Sequence, residues 1–205
     1  MDPGWLRRHF ASVPPPAAPI YGDRGARPVA ATPASVLVPI VPREAGLAVL
    51  FTLRTAHLKA HSGQVAFPGG RAEPHDDSPE ATALREAQEE IGLHPRHVEL
   101  LGRLPEYHTG TGYRVTPVVG LVAPPFELAP DATEVERIFE VPLAFLMDPA
   151  NHRHSSRVWQ GETRWFYTMD YDGNTIWGAT AAMVVNLSRY LAAAPGAVVP
   201  GDKAG

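Results

Sequence analysis

Residues 35–41 and 47–54 are runs rich in valine, leucine and isoleucine, and the stretch between them, 42–46, carries Pro42, Glu44 and Gly46. That pattern predicts two neighbouring strands joined by a hairpin. Shorter or more interrupted runs at 64–67, 98–104, 114–122, 157–159 and 163–170 extend the set of expected strands. Gln160, Gly161 and Glu162 supply a turn between the last two, and Asp172-Gly173-Asn174 supplies another before Ile176 and Trp177. The apolar period changes to that of a helix at 79–91 and 180–193, with a short helical piece around 142–147. Many strands with few helices favour a mixed α/β layer fold.

The segment 79–91 has marked ends. Ser78 is a side chain able to cap free N–H groups, Pro79 stands where a helix needs no donor, and Gly92 is a stop signal. At about 100° per residue, Leu84, Ala87 and Ile91 fall on one side and Glu86, Glu89 and Glu90 roughly opposite. The three carboxylates are therefore expected to converge. By itself such a face is also what a solvated helix shows. Three carboxylates near a helix C-terminus nevertheless repel one another and the negative end of the helix dipole, and a bound cation compensates both. Hard divalent cations favour such oxygen ligands.

Composition narrows the alternatives. With 205 residues, 44% hydrophobic and 20% charged, the chain is large enough for one domain with its own core. No cysteine is present, so a disulfide framework, a thiolate zinc site and a thiol nucleophile are all excluded. A net charge of −4 without a dense Lys/Arg block argues against nucleic acid as a partner. No apolar run approaches the ~20 residues of a membrane span, and the two arginines of the N-terminus are not followed by the apolar stretch of a secretory signal. A cytoplasmic protein is the expectation. Pro3, Pro14, Pro15, Pro16, Pro19, Pro28 and Pro33 make residues 1–33 read as an arm without helix or sheet pairing, with Trp5, Leu6, Phe10, Ile20 and Tyr21 available for docking. The domain is expected over 34–194, and the Ala/Gly/Pro-rich 195–205 as a flexible tail.

What precedes the helix makes the pattern specific. Phe67-Pro68-Gly69-Gly70 leads into an acidic loop, 71–77, and then into Arg85-Glu86-Ala87-Gln88-Glu89-Glu90-Ile91-Gly92-Leu93. This resembles the Nudix box, in which a glycine, a loop glutamate, an Arg-Glu, a Glu-Glu pair and a final glycine follow one another on a loop-helix-loop unit. The loop glutamate is replaced here by Asp76, six residues after Gly70, and eight rather than seven residues separate it from Arg85. Upstream, LFTLRTAHLKAHSGQVAFPGG (50–70) resembles the additional signature of the coenzyme A pyrophosphatase branch, with Arg54, a basic residue at Lys59, Gly63 and Phe-Pro-Gly-Gly at matching separations. Weaker similarity continues through EVERIFEVP (134–142) and IWGATA (176–181).

The resemblance implies the Nudix α/β/α sandwich with a mixed central β-sheet, and hydrolysis of the diphosphate linkage of coenzyme A or acyl-CoA to 3′,5′-ADP and a 4′-phosphopantetheine. It further implies Mg²⁺ or Mn²⁺ held by Glu86, Glu89 and Glu90 with the Gly70 carbonyl, and Arg85 as the organiser of Glu89. Either Glu89 or Glu134 is the expected general base, with Glu136 and Glu140 less favoured. Arg54 and Lys59 are candidates for the substrate's phosphates, and Phe67 for stacking or lining the substrate channel, as are Tyr107, Tyr113 and Trp177. His57 and His61 have an i, i+4 spacing but lack the glutamate of a zinc protease motif, so zinc is not expected. Two other functions fit the same helix: a Nudix hydrolase of ADP-ribose or a dinucleotide, and a catalytically silent Nudix-fold binding module.

Overall fold

The first element is one that the count of prolines argued against. Residues Pro3–Ser12 form a helix, α1. Asp2 caps it by accepting from the Trp5 backbone N at 2.8 Å, Pro3 lies in the first turn where a missing N–H costs nothing, and Pro14 to Pro16 come only after its end. Leu6 and Val13 are completely buried in the core. His9 Nε2 lies 2.9 Å from the Tyr190 carbonyl, and the Tyr190 hydroxyl donates to the Val13 carbonyl. This tie is testable: Tyr190→Phe leaves the buried Val13 carbonyl without its partner and is expected to cost about 1–2 kcal/mol, read by urea denaturation.

The structure, a computed structural model, describes residues 1–14, 20–21, 31–56, 63–159 and 161–193. After β1 (Ile20–Tyr21) come β2 (Thr32–Arg43) and β3 (Gly46–Arg54), the two strands of the expected hairpin, turning at Glu44 and Ala45. β4 (Val65–Ala66) and β5 (Gly69–Arg71) lead to helix α2 (Pro79–Ile91). β6 (Val98–Arg103), β7 (Tyr107–His108), β8 (Tyr113–Val122) and β9 (Val135–Pro142) follow, then the short helix α3 (Leu143–Met147). A second sheet, β10 (Arg153–Trp159), β11 (Glu162–Tyr171) and β12 (Asn174–Trp177), precedes α4 (Gly178–Ala192). Among the described residues no helix is long and apolar enough to cross a membrane.

The main sheet is mixed. β2 pairs in parallel with β8 along nine positions, and on its other side takes β5 with its first half and β3 with its second, both antiparallel. β3 also pairs with β4 and β9. Alternation along the strands divides the core. Leu37, Val41, Leu50, Val118 and Val122 face α2, while Val38, Ile40, Val49, Phe51, Val119 and Leu121 face the layer of α1, α3 and α4. The expected sandwich with a mixed sheet is therefore present, with helices on both faces. β9 was not expected from sequence: it is an edge strand whose Glu136, Arg137 and Glu140 interrupt the apolar alternation, as charged residues do at sheet edges.

Candidate active site

The boundaries of α2 match those read from its signals: Ser78 Oγ accepts from Ala81 N at 3.1 Å, and Gly92 ends the helix in the left-handed conformation with φ +69°. Ala83, Ala87 and Ile91 are buried against Leu37, Leu50 and Val118. Glu90, one residue before Ile91 and three after Ala87, falls on that same buried side and is only 4% exposed. The expectation that three carboxylates converge opposite the apolar face is corrected here. Glu90 turns into the sheet, Glu86 is partly buried, and the Glu89 side chain is 60% exposed. Among the described residues no three acidic or histidine side chains gather around one point. Each glutamate is held instead by donors of the protein.

Glu90 Oε2 accepts from the Gly69 backbone N at 3.0 Å, and its Oε1 accepts from Arg54 Nη1 at 3.1 Å. Arg54 Nη2 reaches Glu134 Oε2 at 3.4 Å, so one guanidinium spans both carboxylates. Glu134 itself is fixed at the end of β3, where its carbonyl accepts from Thr55 N at 3.0 Å. The Gly-Gly turn is sterically required. A Cβ at Gly69 would lie 2.4 Å from the Ser35 carbonyl oxygen, and one at Gly70 would lie 2.5 Å from Glu86 Oε2. Gly70 thus gives Glu86 its place against the turn.

Arg85 organises the other half. Its Nη1 donates to Glu86 Oε1 at 2.9 Å and to Glu89 Oε2 at 3.0 Å. On its far edge, Nε and Nη2 donate to the two oxygens of Asp76 at 3.0 and 2.9 Å, and Nη2 also reaches the Arg71 carbonyl at 3.1 Å. Asp76 further accepts from Thr82 Oγ1 at 3.0 Å and from Glu73 N at 2.8 Å. Hydrogen bonds from Arg85 hold the Asp76 carboxyl well below the usual carboxylate range, while those to Asp76 raise the guanidinium further. With both oxygens engaged, the loop aspartate is the anchor of Arg85.

Burial pushes the Glu90 carboxyl up to about 7, helped by the fields of Glu134 and Glu86 and opposed by Gly69 N–H and Arg54. Burial also raises Glu86, with Glu89 and Glu134 adding to it and Arg85 opposing. A carboxyl raised from 4.5 to about 7 on folding stabilises fully below the unfolded value and loses that contribution as pH rises through the folded one. The metal-free protein is therefore expected to lose stability between pH 5 and pH 8, by up to about 3 kcal/mol at 1.36 kcal/mol per unit. Thermal melts across that range check it, and a rising Tm over the interval would contradict it.

Phe67 is corrected: it is 3% exposed and stacks on Phe51 at 4.8 Å, so its ring belongs to the core on the sheet face away from α2. Tyr107 is buried in that core, while Tyr113 and Trp177 are partly exposed. Lys59, His57 and His61 lie outside the described residues. Glu140 pairs with Arg43 on the surface. The Arg54 bridge to Glu90 and Glu134 was not read from sequence. Its signal was available in strand alternation: Leu50 faces α2, so Thr52 and Arg54 share that side.

The family described as "NUDIX domain" matches residues 31–170, more than half of the chain. A Photorhabdus laumondii protein described as an uncharacterized Nudix hydrolase, NudL, is 40% identical over 158 residues, covering 77% of this chain and 84% of that protein. The Escherichia coli K12 NudL is 39% identical over 163 residues, covering 79% and 84%. Among solved structures, a Nudix hydrolase from M. smegmatis, RenU, is similar with a TM-score of 0.48 and 25% identity, covering 61% of this chain and 79% of that one.

Proposed function

The chain belongs to the Nudix hydrolase family, and from that premise we propose that it hydrolyses the diphosphate linkage of coenzyme A and its derivatives to 3′,5′-ADP and a 4′-phosphopantetheine. The observation that carries the choice of substrate is the segment 50–70 and the way its residues build the site. Arg54 N donates to the Gln64 carbonyl at 3.0 Å, Gly63 N to the Arg54 carbonyl at 3.1 Å, and Gly69 N to Glu90. The described residues of the segment that resembles the coenzyme A signature are thus joined by hydrogen bonds to one another and to the acidic helix.

Nudix hydrolases generally need a divalent cation such as Mg²⁺ or Mn²⁺. The residues present fit one chemically. The donors are carboxylates, the charges of Glu134 and Glu86 raise Glu90 and those of Glu89 and Glu134 raise Glu86, and Arg54 and Arg85 now supply the positive charge they require. Glu86, Glu89 and Glu90, which protein donors hold without gathering them around one point in the metal-free protein, would be the ligands of the ion, with the Gly70 carbonyl as a further donor. When bound, it neutralises diphosphate oxygens and acidifies water. Arg85, locked by Asp76, positions Glu86 and Glu89. Of the two candidates for general base, Glu134 is favoured. Arg54 reaches its Oε2 only at 3.4 Å, whereas Arg85 engages Glu89 Oε2 at 3.0 Å.

The test is a substrate panel with purified protein and Mg²⁺ or Mn²⁺. Coenzyme A and acyl-CoA are expected to be turned over at least about tenfold more efficiently than ADP-ribose or dinucleotides. A preference for ADP-ribose or a dinucleotide would transfer the proposal to that substrate. No turnover of any diphosphate would favour a silent binding module.

A further inference from the structure

Arg54 leaves β3 where the pairing with β9 shifts register, between Leu53 and Arg54. Its two Nη atoms fork between carboxylates of different character: Glu90, almost wholly buried, and Glu134, open to solvent. The fit is loose. The contact to Glu134, 3.4 Å, is near the limit for a hydrogen bond, and Arg54 Nε is buried with no hydrogen-bond partner among the described residues. Arg85 shows what a permanent arginine looks like in the same site, with two bonds to Asp76 and others to Glu86, Glu89 and the Arg71 carbonyl, all within 3.1 Å.

A guanidinium and a divalent cation cannot both sit closely on Glu90 without repelling each other, and an incoming diphosphate supplies the negative charge that relieves the repulsion. We propose that Arg54 is an exchangeable counter-ion: it holds Glu90 and Glu134 in the metal-free protein, yields Glu90 to the divalent cation, and turns its freed fork onto the substrate's diphosphate. The Arg54 side chain, 21% exposed, has a solvent side from which to make that turn. Cation binding then prepares the anion site, so the two ligands load in order. This inference rests on the metal site of the reading above and is independent of which diphosphate is cleaved.

The test is Mn²⁺ binding without substrate, followed by electron paramagnetic resonance of the free ion. Arg54→Gln is expected to bind Mn²⁺ about tenfold more tightly than the native protein, and to raise KM for coenzyme A. Arg54→Lys, which keeps the charge, is expected to stay near the native Mn²⁺ affinity. Equal or weaker Mn²⁺ binding by Arg54→Gln would overturn the inference. Should that variant not fold, a crystal structure of the native protein with Mn²⁺ decides. Separation of Arg54 Nη1 from Glu90 Oε1 beyond 4 Å supports exchange, and retention of the 3.1 Å contact beside a bound ion overturns it. A native protein that binds no Mn²⁺ would instead remove the metal site itself.

Discussion

Glu90→Gln is expected to lower kcat/KM on coenzyme A about a thousandfold, roughly 4 kcal/mol of transition-state stabilisation, with the protein still folded. Glu90 is where three parts of the site meet: the helix, the Gly-Gly turn through Gly69 N, and the β3 end through Arg54. Its two oxygens accept from two different donors, and an amide has one oxygen for both. In either orientation the new NH₂ group faces Gly69 N–H or Arg54 Nη1, donor against donor, and a charged oxygen is lost to the cation. Stability moves less than activity, because removing a buried charge relieves the burial that raises Glu90 while disturbing those two bonds. Circular dichroism and steady-state kinetics together check the claim. Activity within tenfold of native would remove Glu90 from the chemistry.

Asp76→Ala is expected to be the most damaging change for stability, about 3–5 kcal/mol, because it leaves Arg85 charged and without its anchor in a largely enclosed site. For a chain of this size that corresponds to a fall of about 10 °C in Tm. The pH dependence has a definite sign. The Asp76 carboxyl is held low in the folded state, so its contribution is present above the ordinary carboxylate pKa and fades as pH falls through the folded value. The deficit of the variant is therefore full at pH 7 and shrinks in acid. Activity is expected to fall about tenfold as well, since Arg85 then holds Glu86 and Glu89 less firmly. Thermal melts at pH 7 and pH 3 give the stability comparison, and a loss under 1 kcal/mol at pH 7 would refute it.

The parts of the fold legible in sequence were those written by local chemistry. Ser78, Pro79 and Gly92 bound α2 because capping, a tolerated first-turn proline and a left-handed stop act within a few residues. β2 and β3 were visible because both of their faces are buried, giving nearly continuous apolar runs. What was missed depended on position or partner. Helix α1 forms because Pro3 falls in the first turn and the next prolines after the last, a fact that a count of prolines hides. Phe67 looked available for a ligand until Phe51, sixteen residues earlier, was seen beneath it. In the candidate site, the acidic helix and Arg85 were legible from spacing, but the burial of Glu90 was not. Polar character argued for solvent, and the Gly69 N–H and Arg54 that satisfy Glu90 come from other elements. Asp76, one loop residue out of register with the family pattern, became interpretable only through its two bonds to Arg85.

The most direct measurement of the central claim is mass spectrometry of the products formed from coenzyme A in ¹⁸O-labelled water with Mg²⁺ or Mn²⁺. The expected result is 3′,5′-ADP and 4′-phosphopantetheine in equal amounts, with one ¹⁸O atom on the phosphate of one product and none on the other, which also identifies the phosphorus attacked. Intact coenzyme A under conditions in which another diphosphate is cleaved, or products that do not arise from breaking the diphosphate, would contradict it.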